Sequence, residues 1–222
     1  MMETLGSLQE VLTLVATATG VYVAIGGLNA WRRETTGKRD IELCQTVIEK
    51  FYEAEHKMNV LRSPMSYVQE GESRAKEPGE PLSETERRNH LFTPLARYNA
   101  QADFWSEFFS YRFRMRALFG NEASEAFAPV DDAVRSFRAT ASTRYQALYR
   151  DKNGLSADSS RSFEQAIWSG TSKPDVIADQ MREGIRLMEA ICVPIVRATR
   201  PSSRLNEWGS KVKALFARRE RQ

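Results

Sequence analysis

The sequence has almost none of the residues from which redox, metal or acid–base sites are built. Of 222 residues, two are cysteine and two are histidine. Cys44 and Cys192 stand singly inside apolar helical stripes. They read as small buried hydrophobes, and neither a disulfide framework nor a zinc knuckle is expected. Two lone thiols suit a reducing compartment. Glu53-x-x-His56 has the spacing of one half of a carboxylate-bridged di-iron site, but such a site needs a second copy. Glu86 precedes His90 by four residues rather than three. Sustained alternation of apolar and polar residues is absent, so no strand is available to carry a glycine-rich phosphate loop. No serine sits in a GxSxG turn. No catalytic residue, metal ligand or cofactor site is assigned, and the chain reads as a non-enzyme.

Basic residues are also missing at the start: no lysine or arginine precedes Arg32. From Val11 to Ala30 the chain reads VLTLVATATGVYVAIGGLNA, without a charge. At the rise of an α-helix this length crosses a hydrocarbon core of about 30 Å. Trp31 comes next at the interface position, then Arg32, Arg33, Lys38 and Arg39. Glu3 and Glu10 are the only charged side chains before the stretch. The positive-inside rule places the chain beyond Ala30 in the cytoplasm and the N-terminus outside. A cleaved signal peptide would want a basic start and a small-residue cleavage site, and the sequence offers neither. A buried core helix is the rival reading, because threonine and glycine lower the hydropathy.

The same stretch carries small residues at helical spacing. Ala16, Gly20, Ala24 and Gly27 lie on one face, with Thr13 and Thr17 on or beside it. Such faces let helix backbones approach closely in lipid, and self-association is the expected consequence. Glycine and alanine are also simply common in membrane helices.

After Gly37 the pattern is amphipathic. Leu43, Val47, Phe51, Ala54, Met58 and Leu61 recur at three and four residues. Ser63-Pro64 ends that helix. The segment 69–82 is rich in Glu, Gly and Pro and reads as a mobile loop. Ser83 with Glu86 forms a capping-box start, and Pro94 predicts a kink or restart. Phe104, Phe108, Tyr111, Met115 and Leu118 make the next stripe, closed by Gly120-Asn121. A helix over about 122–150 carries Phe127, Val130, Val134, Phe137 and Ala141. A short helix lies near 161–168. Pro174 opens a last one bearing Ile177, Met181, Ile185, Met188, Ile191 and Cys192. The expected fold is all-α: a single N-terminal transmembrane helix within residues 1–33, a bundle of about four long helices over 34–200, and a basic amphipathic C-terminal helix over 201–222.

Charge excludes some partners. The net charge of +3 is small, and nucleic acid is not an expected partner. In Tyr111-Arg112-Phe113-Arg114-Met115-Arg116 the arginines cannot all share a helix face, and the aromatics continue the core stripe. The C-terminal segment differs. Leu205, Trp208, Val212, Leu215 and Phe216 form an apolar face beside Arg204, Lys211, Lys213, Arg218, Arg219 and Arg221. Contact with an anionic bilayer surface through Trp208, Lys211, Lys213, Leu215, Phe216, Arg218 and Arg219 is one reading. Docking of this segment on the bundle or on a partner is the other.

The order Asp40-Ile41-Glu42-Leu43, Phe51-Tyr52-Glu53-Ala54, Leu61-Arg62-Ser63-Pro64-Met65-Ser66-Tyr67 with Gly71-Glu72 and Arg74, Tyr111-Arg112-Phe113-Arg114 and Phe119-Gly120-Asn121-Glu122-Ala123 resembles an uncharacterised group of small bacterial proteins. Those proteins carry one N-terminal span and a cytoplasmic helical region. The resemblance runs from Trp31 to about Pro194 and leaves the basic C-terminal segment as an addition. It implies a bacterial inner-membrane location and no particular reaction. The expected function is a membrane-anchored interaction protein. Its partners would be itself as a homo-oligomer, the lipid bilayer and a cytoplasmic protein, the last met through Arg62, Tyr67 and Arg74. The alternative is a homo-oligomeric pore-forming or membrane-perturbing effector of a bacterial defence system.

Overall fold

Val11–Ala30 passes into the amphipathic stripe after Gly37 with no strong helix breaker between them, and both join into one helix. In the computed structural model, which describes residues 2–67 and 69–198, helix α1 runs Met2–Leu61. Gly37 lies inside it, because a lone glycine costs a helix only about 1 kcal/mol. The chain divides into two units, Met1–Leu43 and Cys44–Gln222.

The first unit is the N-terminal part of α1. Val21, Tyr22, Val23, Leu28 and Trp31 are all exposed on it. Thr17, Gly20, Ala24 and Gly27 are exposed as well, and a Cβ added at Gly20 or Gly27 would meet nothing within 4 Å. The side chains of Thr13 and Ala16 lie outside the described residues. Among the described residues no helix is long and apolar enough to cross a membrane.

The second unit packs the rest of α1 with α2 (Leu82–Ala100), α3 (Ala102–Phe119), α4 (Asn121–Glu125), α5 (Ala128–Arg150), α6 (Ala157–Ile167) and α7 (Val176–Ala198). Among the described residues there is no strand. The predicted stripes form the core: Val47, Phe51, Ala54, Met58 and Leu61 are buried on α1, and Val130, Val134, Phe137 and Ala141 on α5. At the centre Phe51 meets Phe108 and Phe127 edge-on, with ring centroids 5.0 and 4.9 Å apart. Gly184 lets α7 close on this cluster, since a Cβ there would lie 2.6 Å from Val130 Cγ2.

Several boundaries differ from the sequence reading. The helix expected over 122–150 is two helices, with Pro129 in the first turn of the second. Pro94 does not interrupt α2. The capping box is not formed, because α2 starts two residues earlier, with Pro81 at the N-cap and no side-chain cap. Leu118 is exposed rather than part of the core.

Helix C-terminal ends leave carbonyl groups without helical donors. Three of these ends are closed by arginines from other elements. Arg97 of α2 donates to the carbonyls of Val60, Leu61 and Ser63 at 3.3, 3.5 and 2.7 Å, and to that of Met65. Arg87 donates to Leu148 and Tyr149 at the end of α5, at 2.7 and 3.2 Å. Arg62, just past α1, donates to Ala166, Gln165 and Trp168 around the end of α6, at 3.2, 3.4 and 3.4 Å. Arg62 also binds both carboxylate oxygens of Asp175, at 2.8 and 3.0 Å. It is 1% exposed. Breaking such a pair from one side strands a charge and several acceptors, at a cost of about 3–5 kcal/mol. Arg62→Met is therefore expected to lower unfolding stability by that order in urea titrations. A loss below about 1 kcal/mol would contradict the assigned role.

Candidate functional site

The connection between α1 and α2 is short of apolar residues, so ion pairs and backbone hydrogen bonds hold it. Arg74 is 5% exposed. It donates to Asn89 Oδ1 at 3.2 Å, to the Ala75 carbonyl at 3.0 Å and to the Glu80 carboxylate. Arg88 binds Glu77 and Glu80 at 3.0 and 2.9 Å and lies 4.0 Å over the Tyr149 ring. The Tyr149 hydroxyl donates to Glu77 at 2.9 Å. Arg97 pairs with Glu70 at 2.8 Å. Gly71 packs directly under α2, where a Cβ would overlap the Asn89 carbonyl.

This network fixes several charges. The hydrogen bond from Arg74, with further ones from Arg88, holds the Glu80 carboxyl at about 2. Lys152 and then Arg87 hold Glu84 at about 2. Arg88 is raised by Glu77 first and Glu80 next. Segment 69–82, expected to be mobile, is held together and tied to α2 by the buried pairs of Glu80 with Arg74 and Arg88, and tied to α5 by the exposed Tyr149–Glu77 hydrogen bond.

The same placement puts the three expected contact residues in different settings. Arg62 and Arg74 face inward and are spent on Asp175 and Glu80. Tyr67 alone of the three is open, at 80% exposure. It borders a cleft of about 560 Å³ between the connection and α2. Asn89 and Thr93 are buried residues in its lining, which Glu72 and Lys76 of the connection and Glu86 and His90 of α2 complete. Leu82 also lines it, and nearby Met65 is exposed. Among the described residues, Glu72, Lys76, Glu86 and His90 make no ion pair or side-chain hydrogen bond. Pro94 supplies no N–H to the His90 carbonyl four residues back, so that acceptor lacks its helical donor.

The cleft therefore offers two carboxylates, an ammonium, an imidazole and exposed apolar edges. Its volume falls within the usual range for ligand pockets. Ser66 lines it too, but no hydrogen bond joins Ser66 to His90, or His90 to a carboxylate, among the described residues. No three His, Cys, Asp or Glu side chains among the described residues are placed to hold a metal ion. Glu53 is paired with Lys50 and Lys57, and His56 is exposed.

The sequence signal for the inward-turned arginines was slight. Arg62 continues the α1 stripe after Met58 and Leu61, and an arginine at a core position was the available hint that it turns inward. Arg112 pairs with Asp131 at 3.4 Å, and Arg114 lies 5.7 Å from the Tyr111 ring centroid. Trp208, Lys211, Lys213, Leu215, Phe216, Arg218 and Arg219 lie outside the described residues.

Comparison with protein-family models, with curated proteins and with solved structures finds no match to this chain.

Both Glu80 and Glu84 titrate near 2, below the ordinary carboxylate value of 4.5. Their contribution is complete above pH 4.5 and is lost as the pH falls from there to about 2. The thermal midpoint, followed by far-ultraviolet circular dichroism, is expected to hold level down to about pH 5 and then fall. Glu80→Gln should lower the level region and flatten part of the fall. An unchanged acid limb in that variant would contradict the network.

Proposed function

We propose that this protein is a membrane-anchored, self-associating interaction protein. The twenty charge-free residues Val11–Ala30 cross the bilayer, and the helical bundle meets a cytoplasmic partner through the cleft beside Tyr67. One observation carries the anchoring: Val21, Tyr22, Val23, Leu28 and Trp31 are all exposed on α1. Water is a poor solvent for such a surface, whereas a bilayer or a second copy of the helix is a good one. Charge supports the orientation, since Arg32 and Arg33 come directly after the stretch. The Thr17, Gly20, Ala24 and Gly27 face is the contact between copies. The resemblance to small bacterial inner-membrane proteins agrees with this location.

Partner recognition belongs to the cleft because its ionisable groups are unspent. The arginines and glutamates around it are consumed in holding the connection in place, whereas Glu72, Lys76, Glu86 and His90 remain open to a ligand. The basic segment 201–222 adds a contact with anionic lipid headgroups.

The test is the mass of the full-length protein in mild detergent, beside a variant lacking residues 1–33. The expected result is a discrete oligomer that becomes a monomer when residues 1–33 are removed. Gly20→Leu should shift the full-length protein at least partly to monomer. Full-length protein that stays soluble without detergent would overturn the anchoring. A full-length monomer in detergent would overturn the self-association alone.

A further inference from the structure

Positive charge is not spread evenly through this chain. The 24 residues after Ala198 hold seven of its 32 basic residues and two of its 29 acidic ones, a net of +5, so the rest, with 25 bases against 27 acids, carries −2. Around the cleft, Glu70, Glu77, Glu80 and Glu84 are met by arginines. Glu72 and Glu86 are exposed in its lining and have no ion pair among the described residues. Tyr67 and Leu82, 80 and 74% exposed, give it an apolar edge. Asn89, in the same lining, is 8% exposed. Its Oδ1 accepts from Arg74 Nε at 3.2 Å, and its Nδ2 has no partner among the described residues. A buried amide donor left open in this way requires an acceptor.

We infer that the cleft seats the chain's own C-terminal segment, residues 204–219, through Trp208, Lys211 and Lys213. The inference rests on the reading of the cleft as a binding site. The order Glu207-Trp208-x-x-Lys211-x-Lys213 matches the cleft in sign and kind. Lys76, the one open ammonium of the cleft, has Glu207 as its counterpart. The Trp208 indole covers the edge made by Tyr67 and Leu82. Lys211 and Lys213 meet the carboxylates of Glu72 and Glu86, and these charges set the register. Asn89 Nδ2 donates to a carbonyl of the segment.

The point at which α7 ends leaves enough chain for this. Arg62 pairs with Asp175 at 2.8 Å just past the end of α1, and Tyr52, earlier on α1, donates to Glu189, later on α7. The two helices are therefore antiparallel. α7 finishes at the end of the bundle where α1 enters, and the cleft lies at the other end, past Leu61. The stretch Cys44–Leu61 spans about 27 Å at the helical rise. Residues 199–207 cover about 30 Å when extended. Trp208 thus reaches the cleft. Tethering on the same chain gives the segment an effective concentration of about millimolar, so a weak contact suffices. Anionic lipid headgroups compete for the same basic residues. A bilayer surface that draws the segment away leaves the cleft to a partner.

The experiment puts the photo-crosslinking residue p-benzoylphenylalanine at position 67 of the full-length protein in mild detergent. After irradiation the crosslinked peptides are mapped by mass spectrometry. The expected result is a crosslink, within one chain, to a peptide from 201–222. It should be lost with Glu72→Lys plus Glu86→Lys, and also with Lys211→Glu plus Lys213→Glu, a pair that lies beyond α7 and cannot act through the core. A crosslink found only between two chains, one that survives both reversals, or none to 201–222 would overturn the inference. A free peptide of residues 203–222, added to the Lys211→Glu, Lys213→Glu protein, separates this failure from failure of the cleft itself. Capture of that peptide, lost with Glu72→Lys plus Glu86→Lys, keeps the cleft as a site for such a segment, and no capture would overturn both readings. In bilayers the yield should fall when phosphatidylglycerol replaces phosphatidylcholine, and an equal yield would overturn the competition with lipid.

Discussion

A helix that ends inside a folded protein leaves carbonyl oxygens that water can no longer reach, and in this bundle arginine supplies the missing donors. Arg97 closes the end of α1, Arg87 that of α5, and Arg62 that of α6. A guanidinium suits the task because its planar fork serves several acceptors at once and stays charged at any relevant pH. Its charge also meets the negative end of the helix dipole. Each of the three carries a carboxylate as well: Glu70 for Arg97, Glu84 for Arg87 and Asp175 for Arg62. The rest of the second unit depends on these contacts, because they decide where the chain turns from one helix to the next.

Burying such groups is costly in desolvation, and packed hydrophobes often stabilise as well or better. What the arginines add is position. The aromatic cluster of Phe51, Phe108 and Phe127 would tolerate sliding, since apolar contacts have little direction. The guanidinium contacts would not, since each fixes a set of donors against particular carbonyls. The connection from Arg62 to Pro81 thereby becomes one wall of a cleft. With its other charges neutralised in place, Glu72, Lys76, Glu86 and His90 are the ones left facing outward. A rigid wall with open polar groups meets a partner at a lower ordering cost than a disordered loop would.

The apolar layer of this architecture could be read from the sequence almost residue by residue. Period-three-and-four spacing found Val47, Phe51, Ala54, Met58 and Leu61, and the Phe127 to Ala141 stripe, because hydrophobic burial leaves that period on a helix. The polar layer could not be read in that way. Arg62 and Arg74 look like surface residues beside a loop, and only the position of Asp175, far along the chain, turns Arg62 inward. The Gly, Pro and Glu content of segment 69–82 matches a mobile loop and gives no sign of the ion pairs that its glutamates make. Gly71 is there because α2 passes directly over it, and Glu80 is there for Arg74. Leu118 fits the α3 period yet lies exposed near the end of that helix.

Backbone amide hydrogen exchange across the α1–α2 connection tests the central claim most directly. The amides of Glu72 and Arg74 donate to the carbonyls of Gln69 and Gly71 at 3.1 and 3.3 Å, and that of Glu80 donates to Glu77 at 3.2 Å. If buried arginines hold this connection as a fixed wall, those amides exchange far more slowly than an unstructured chain, and Arg97→Met or Arg74→Met releases them together. Exchange at the unstructured rate in the unaltered protein would contradict the account and return the connection to the mobile loop that its composition suggests.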